Sequence, residues 1–291
     1  MSLTIHIYQA IIFGLIQGIT ELFPISSLGH AVLVPAWLGG SLKQISTSKD
    51  SAYLTFTVAL HLASALALLW IFRKRWVVLI RAGFQSLRGK RSVDSQVFWL
   101  LVITSIPAAV LGLAFEKTLR SNFAKPLAAA IFLFINGFIL FGAERLSGGQ
   151  KGYDESNTRM SENELIAARI HPRTAVTIGF GQSLALLAGI SRFGVTTSAG
   201  LLRKLSHHVA ADFAFLAATP IIFLAAIYKV PELMNHSNAA LRTPALVGGV
   251  ASFIATYISA KFLVRWFKTR TLYPFAIYCL VIGVASIIRF A

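Results

Sequence analysis

The sequence predicts an all-α polytopic membrane protein built as an inverted repeat. Three observations carry this prediction: an apolar composition, six long hydrophobic segments, and two related segments in which apolar sequence is interrupted by Gly, Pro and Ser. Of the 291 residues, 56% are hydrophobic and 13% are charged, and the mean hydropathy is +0.69. These values lie far outside the range of soluble globular proteins.

Six segments are long and apolar enough to cross a bilayer as helices. They cover roughly 53–72, 98–115, 127–145, 211–228, 244–264 and 272–290. Two further apolar segments, near 4–40 and 175–207, are broken by Gly, Pro and Ser. Because non-helical backbone is tolerated at membrane depth only where protein buries it or where it lines a wet cavity, we expect both to form re-entrant helical hairpins.

The positive charge orients these segments. Several Lys and Arg residues fall between the first two spans: Arg73, Lys74, Arg75, Arg81, Arg88, Lys90 and Arg91. Cytoplasmic loops carry such an excess, so this connection is predicted to be cytoplasmic and both termini external. The net charge of +16 is spread over short runs between apolar spans, which topology and anionic lipid explain. We therefore expect no nucleic-acid partner.

The two broken segments resemble each other. An ungapped alignment at an offset of 165 residues superimposes Gly14 on Gly179, Gln17 on Gln182, Leu22 on Leu187, Ile25 on Ile190, Ser26 on Ser191 and Gly29 on Gly194. Each is followed by three spans, and an odd number of crossings gives the second copy the opposite orientation. We expect one membrane domain over 1–291, with repeat 1 over about 1–146, a cytoplasmic linker over about 147–174 and repeat 2 over about 175–291. Inverted repeats place a polar site at their interface.

The first hairpin, GLIQGITELFPISSLGH at 14–30, offers an acid, hydroxyls and a base. Gln17 and Glu21 are four residues apart, so on a helix both project from one face and could share a divalent cation. His30 can act as a general base or a nucleophile near neutral pH.

The second hairpin, GQSLALLAGISRFGVTT at 181–197, adds a cation. Arg192 offers a planar fork that matches phosphate oxygens, and the glycines around it let backbone N–H groups approach the same anion. Together the two hairpins suit metal-assisted phosphoryl transfer.

Some of these residues also have a structural interpretation. Ser26 and Ser191 occupy matching places and are equally suited to capping short helices. Gln17, His61 and Asn136 could hydrogen-bond across helices. Glu21 and Arg192 are the strongest functional candidates, since ionisable side chains are rare within a bilayer.

The sequences ELFPISSLGH and GISRFGVTT closely resemble the paired motifs of bacterial undecaprenyl-diphosphate phosphatases, the bacitracin-resistance family. The stretches ADFAFLAATP at 211–220 and PFAIY at 274–278 resemble later segments of that family, so the resemblance runs the whole length. It implies a hydrolase of the bacterial cell (inner) membrane that removes one phosphate from the C55 isoprenoid diphosphate, which regenerates the lipid carrier for peptidoglycan assembly. It also implies a homodimer and Mg²⁺ or Ca²⁺ as cofactor.

The resemblance implies roles for individual residues. Glu21, Ser27, His30 and Arg192 are expected to be catalytic, and Gln17 joins Glu21 at the metal. The resemblance also implies contacts to the diphosphate from Ser191, Arg192 and Thr196. From their own chemistry, the Ser26 hydroxyl and the backbone N–H groups at Gly189 and Gly194 are further expected contacts. The family pattern is broken by Gln17 in place of Glu, Ala188 in place of Pro and Phe193 in place of Ser, and Phe193 is expected to add bulk near the diphosphate.

Two questions stay open at the level of sequence. Serine, histidine or water could make the attack on the terminal phosphorus. An alternative function, a transporter or flippase of polyprenyl phosphates with weak or no hydrolase activity, would share the binding site, because inverted repeats and midplane sites are usual in secondary transporters.

Overall fold

The computed structural model describes residues 5–46, 51–115, 125–148 and 160–291, and within these ranges the chain is helical with no β-strand. In chain order the α-helices of these residues are α1 (Ile7–Thr20), α2 (Ser27–Leu38), α3 (Gly40–Ser46), α4 (Ser51–Ile71), α5 (Arg73–Leu87), α6 (Val93–Ala114), α7 (Pro126–Leu146), α8 (Glu162–Arg169), α9 (Pro172–Ser183), α10 (Arg192–Leu202), α11 (His207–Leu233), α12 (Arg242–Trp266) and α13 (Tyr273–Phe290). Short 3-10 helices cover Leu184–Leu186 and His236–Leu241.

The prediction of six spans is confirmed. Among the described residues, six helices are long and apolar enough to cross a membrane, and these are α4, α6, α7, α11, α12 and α13. Many of their large apolar side chains are exposed, as expected where lipid is the solvent. The protein is therefore a multi-pass membrane protein.

Both broken segments fold as a helix, a loop and a second helix. In the first, α1 ends at Thr20 and α2 begins at Ser27, while in the second, the 3-10 helix after α9 leads to a loop before Arg192. Ser26 and Ser191 cap the second helix of each pair, and each hydroxyl accepts a hydrogen bond from the amide three residues later. The capping interpretation is thus confirmed, whereas the re-entrant path and the inverted orientation stay predictions.

Close contact with α12 fixes the position of α1, which carries Gln17. The contact is possible because Gly14 and Gly18 lie one turn apart on α1. A Cβ atom built on Gly18 would lie 2.4 Å from the carbonyl oxygen of Ser252, and one built on Gly14 would lie 2.1 Å from that of Gly248. Only glycine lets the two backbones approach this closely.

Part of the predicted linker is ordered against the helices. Residues 149–159 lie outside the described residues, but α8 follows them and docks on Arg75, whose Nη1 donates to Glu162 at 2.9 Å and to Asp212 at 2.7 Å. His208 also hydrogen-bonds Glu162 at 3.0 Å, and this bond is the main reason that the pKa of Glu162 falls to about 2. The contact joins α8 to α5 and α11.

The α1–α12 contact can be tested with two glycine-to-alanine changes of opposite expected sign. Gly18→Ala forces the Cβ against backbone atoms and should lower the stability by about 2 kcal/mol. Gly142→Ala, on α7, meets nothing within 4 Å and should raise the stability by about 0.5 kcal/mol, because alanine favours the helix. The midpoint of thermal unfolding in detergent measures both, and equal midpoints for the two variants would contradict the contact.

Candidate active site

The two interhelical loops meet at Ser26. Its hydroxyl accepts a hydrogen bond from the amide of Gly29 in its own hairpin at 3.2 Å, and from the amide of Gly189 in the other hairpin at 3.1 Å. Ser26 has φ +69°, a backbone conformation that L-residues seldom adopt outside functional or tightly constrained sites. The side chain that caps α2 therefore also holds the second loop.

Glycine makes the meeting of the loops possible. Gly189 has φ +119°, and a Cβ atom there would lie 2.5 Å from the carbonyl oxygen of Ala129 on α7. A Cβ atom on Gly29 would lie 2.9 Å from the Cα atom of Gly189. A side chain on Gly29 would push the two loops apart, and one on Gly189 would push the second loop away from α7.

Asn136 on α7 also connects the two loops. Its Nδ2 donates to the carbonyl oxygen of Pro24 at 2.9 Å, and its Oδ1 accepts from the amide of Ser191 at 2.9 Å. The side chain is fully buried, so the hydrogen bonds form in a low dielectric, where leaving either loop group unpaired would be costly. The expectation that Asn136 hydrogen-bonds between segments is confirmed.

Glu21 is the centre of a compact polar cluster. Its Oε2 accepts a hydrogen bond from Gln17 Nε2 at 2.8 Å and from the Ser27 hydroxyl at 2.5 Å. His61 of α4 completes the cluster, with its Nε2 at 3.3 Å from the same carboxylate oxygen. The predicted metal pair and the predicted catalytic hydroxyl are therefore in direct contact.

Arg192 lies on the second hairpin and faces the same space. Its Nε and Nη1 atoms are buried, and they find no hydrogen-bond partner among the described residues. Buried donors are nearly always paired, and donors of a charged group are particularly costly to leave unpaired. These two donors are therefore available to hydrogen-bond an anion.

A small pocket lies between the two hairpins. It is lined by Glu21, Ser26, Ser27, Leu28, His61, Ala185, Ile190, Ser191 and Arg192. Five of the predicted site residues contribute to this wall, two from the second hairpin and three from the first. An acid, a hydroxyl, an imidazole and a cation thus share one small polar pocket.

His30 lies elsewhere in the site. Its Nδ1 is 2.7 Å from the carbonyl oxygen of Ser26, and its Nε2 is 2.9 Å from the hydroxyl of Tyr278 on α13. A carbonyl can only accept, so Nδ1 carries the proton, and in the neutral imidazole Nε2 accepts a hydrogen bond from the tyrosine hydroxyl. The described residues that line the pocket do not include His30, and its catalytic role stays a prediction.

The remaining predicted contacts are engaged within the protein. Thr196 donates its hydroxyl to the carbonyl oxygen of Arg192, and the amide of Gly194 donates to the Ser191 hydroxyl. The amide of Gly189 is likewise used, by Ser26. Their part in binding substrate stays a prediction, and the structure indicates that they shape the loop.

Phe193 does not narrow the pocket as its position beside Arg192 suggested. Its ring is 2% exposed and stacks on Phe215 with 4.7 Å between the ring centroids. It also lies 6.0 Å from the ring of Phe267. Consecutive residues at the start of a helix point in different directions, so Arg192 faces the pocket while Phe193 fills the core.

Sequence reasoning assigned His61 a hydrogen bond across helices and no place in the site. Its Nε2 does reach another segment, 3.4 Å from the Ser27 hydroxyl, but it does so inside the pocket. A histidine in the middle of an apolar span was the available signal. Nothing in the sequence pairs α4 with the first hairpin, so its location could not be inferred.

Oxygen ligands for a divalent cation are present beside the pocket. The Oε1 atom of Gln17 is buried and has no hydrogen-bond partner among the residues that the structure describes. The carboxylate of Glu21 lies next to it, linked by the bond from Gln17 Nε2. An amide oxygen, a carboxylate and a neighbouring hydroxyl are donors that Mg²⁺ and Ca²⁺ accept, so the residues fit such a cation.

Comparison with known proteins identifies the family. The family described as Bacitracin resistance protein BacA matches residues 10–285. An "Undecaprenyl-diphosphatase 2" of Frankia alni is 43% identical over 97% of both chains, and an "Undecaprenyl-diphosphatase" of Mycolicibacterium paratuberculosis is 44% identical over 100% of this chain and 99% of its own. An "Undecaprenyl-diphosphatase 2" of Chromobacterium violaceum is 39% identical over 96% of this chain and 97% of its own. The chain whose hairpins bring Arg192 to Glu21 and Ser27 therefore belongs to the bacitracin resistance protein BacA family.

Proposed function

We propose that this protein is an undecaprenyl-diphosphatase, which hydrolyses the C55 isoprenoid diphosphate to the monophosphate and inorganic phosphate. The observation that carries this function is the pair of buried, unpartnered guanidinium donors of Arg192, in one pocket with the hydrogen-bonded pair Ser27 and Glu21. Full-length similarity to proteins that carry this name supports the same reaction. The product would return to the pool of lipid carrier for the cell wall.

The diphosphate would bind where the hairpins meet. Arg192 can donate two parallel hydrogen bonds to phosphate oxygens. Helices α2 and α10 both begin at the pocket, at Ser27 and Arg192, so the positive ends of two helix dipoles lie there. These fixed charges stabilise an anionic head group, and they also stabilise the charge that develops on it during the reaction.

Ser27 is the proposed nucleophile. Its hydroxyl lines the pocket and is held by Glu21, whereas the Nε2 of His30 is occupied by Tyr278. The serine oxygen forms a bond to the terminal phosphorus, the bond from phosphorus to the bridging oxygen breaks, and the polyprenyl monophosphate leaves. Water then cleaves the phosphoserine, which releases phosphate and restores the hydroxyl.

Gln17 and Glu21 would hold a divalent cation, Mg²⁺ or Ca²⁺. When bound there, the cation would neutralise part of the charge on the diphosphate. Gln17 supplies an oxygen without a charge, so this chain relies on a single carboxylate where a pair would bind more tightly. We also propose that the protein is a homodimer in the bacterial cell (inner) membrane, with both termini on the external side.

Removal of the guanidinium tests the anion site. Arg192→Ala should lower kcat/KM for phosphate release from undecaprenyl diphosphate at least about 100-fold, because the transition state loses its cation. The kcat/KM of Arg192→Lys should lie between those of the wild type and Arg192→Ala, since an ammonium keeps the charge but lacks the planar fork. Arg203→Ala changes an exposed arginine at the other end of α10 and should leave the rate within about twofold of the wild type.

Two results of that experiment would contradict the proposal. Full activity of Arg192→Ala would remove the guanidinium from the mechanism. A wild-type protein that binds the lipid in detergent but releases no phosphate would also contradict the proposal. If that protein moves the lipid across the membrane of a reconstituted vesicle, the transporter is the correct function.

Trapping identifies the nucleophile. Wild-type protein mixed with substrate labelled at the terminal phosphate and quenched in acid within one turnover should carry label on Ser27. Ser27→Ala should carry none, while the neighbouring Ser26→Ala should still label Ser27 in the fraction that folds. Label on His30, or no label on either residue during rapid turnover, would show a different route.

Restoration of the second carboxylate tests the metal site. Gln17→Glu should lower the Mg²⁺ concentration for half-maximal activity about tenfold, because affinity rises with ligand charge. Gln182→Glu makes the same change at the matching place of the second hairpin and should leave the Mg²⁺ requirement unchanged. Activity that persists in EDTA would show that no exchangeable cation takes part.

A further inference from the structure

His61 is placed to handle the proton of Ser27. It lies on α4, 8% exposed, with its Nε2 atom 3.4 Å from Ser27 Oγ and 3.3 Å from Glu21 Oε2. The hydroxyl, the carboxylate and the imidazole therefore form a triangle in which each group reaches the other two. A nucleophile, a base and an orienting acid in mutual contact are the arrangement that activates a serine.

The backbone of α4 sets which nitrogen of His61 carries the proton. Nδ1 lies 2.8 Å from the carbonyl oxygen of Thr57, one turn earlier in the same helix. Because a carbonyl can only accept, Nδ1 carries a proton, and the lone pair of a neutral imidazole is left on Nε2. That lone pair faces Ser27.

Glu21 is the closer acceptor but has little capacity to take the proton. Its Oε2 already accepts from Gln17 Nε2 and from Ser27. Under the proposed function, the same carboxylate also binds the cation. A carboxylate that is shared with a cation is a weak base and orients the hydroxyl, whereas a neutral imidazole such as that of His61 can act as a general base.

The two buried histidines of the site have different surroundings. The Nε2 atom of His30 accepts from Tyr278, and the rings are stacked with 5.7 Å between centroids. The Nε2 atom of His61 opens into the pocket, where Glu21 and Arg192 are the charged side chains that line the wall among the described residues. Only His61 contacts both the hydroxyl and its carboxylate.

We propose that His61 is a further catalytic residue, the proton acceptor for Ser27. As the bond between Ser27 Oγ and the terminal phosphorus forms, the hydroxyl proton moves to Nε2, and the polyprenyl monophosphate leaves as its anion. The imidazolium is stabilised by Glu21 at 3.3 Å. Water then attacks the phosphoserine and loses one proton to the medium, and Nε2 returns its proton to the Ser27 oxygen as phosphate leaves. This inference rests on the proposed phosphatase function and on Ser27 as the nucleophile.

The first test separates proton transfer from substrate binding. His61→Gln retains hydrogen-bonding capacity but has no basic nitrogen, so kcat should fall about 100-fold while KM stays within about threefold. The rate of phosphoserine formation in a single turnover should fall by the same factor. His236→Gln, an exposed histidine in the 3-10 helix before α12, is the matched control and should retain the wild-type kcat.

Chemical rescue distinguishes a lost base from a lost structural contact. His61→Ala should recover at least about tenfold in kcat when free imidazole is added, because the small base can enter the space left by the side chain. Arg192→Ala should recover nothing under the same conditions. The unfolding midpoint of each variant shows whether it is folded, and phosphoserine formation by the wild type in single turnovers measures the step itself.

The outcomes separate this inference from the function on which it rests. No phosphate release by the wild type would refute the phosphatase function, whereas an active wild type with label on Ser27 upholds it. In that case, a His61→Gln protein with kcat within about threefold of the wild type refutes the role of His61. Lost activity in a folded His61→Ala protein that imidazole does not restore also refutes it. If neither variant folds, wild-type phosphoserine formation that proceeds at the same rate in H₂O and D₂O refutes proton transfer to His61 in that step.

Discussion

The site depends on hydrogen bonds that join two loops distant in sequence. Asn136 donates to Pro24 and accepts from Ser191, and the Ser26 hydroxyl accepts from Gly189. Where loop backbone is buried in a membrane protein, water does not hydrogen-bond its amides and carbonyls, so these groups need partners within the chain. The loops are therefore fixed to each other at the point where their side chains form a pocket.

The fixed loops explain why an unpaired group at this place has meaning. Ser26, Ser191 and Asn136 satisfy the loop backbone, and the caps satisfy the helix ends. Against this background the buried Nε and Nη1 atoms of Arg192 have no partner among the described residues. Since the two loops are fixed to each other and Arg192 is the first residue of α10, its buried Nε and Nη1 donors are preorganised for an anion.

Periodicity and local signals were sufficient for much of the fold. Six apolar segments became six helices long enough to span. In the two Ser-x-x-Gly sequences, each of Ser26 and Ser191 caps a helix through the amide three residues later. The site residues of the first hairpin, Gln17, Glu21 and Ser27, lie within ten residues of each other, so their contact follows from local geometry. Arg192 joins them across 165 residues or more, and the pairing of the two related motifs was the signal that placed it there.

What the sequence could not supply were side-chain directions and long-range partners. Phe193 follows Arg192 directly, yet it packs on Phe215 in the core. The hydroxyl that occupies the Nε2 atom of His30 belongs to Tyr278, 248 residues away. His61 enters the pocket from α4, a helix whose composition is that of any span. Each of these depends on which helices are neighbours, and hydrophobic periodicity does not encode that.

The two histidines have different tasks. His30 holds the conformation of a loop, and His61 lies beside the hydroxyl that reacts. His30 donates through Nδ1 to the carbonyl oxygen of Ser26, the residue with φ +69°, and so stabilises a loop conformation that would otherwise be strained. Because its other nitrogen binds Tyr278, rotation of the ring would break two hydrogen bonds. The Nδ1 atom of His61 is fixed by the carbonyl oxygen of Thr57 on its own helix, which leaves its Nε2 beside Ser27 and Glu21. One imidazole shapes the loop and the other faces the hydroxyl, and each is fixed through a different backbone carbonyl.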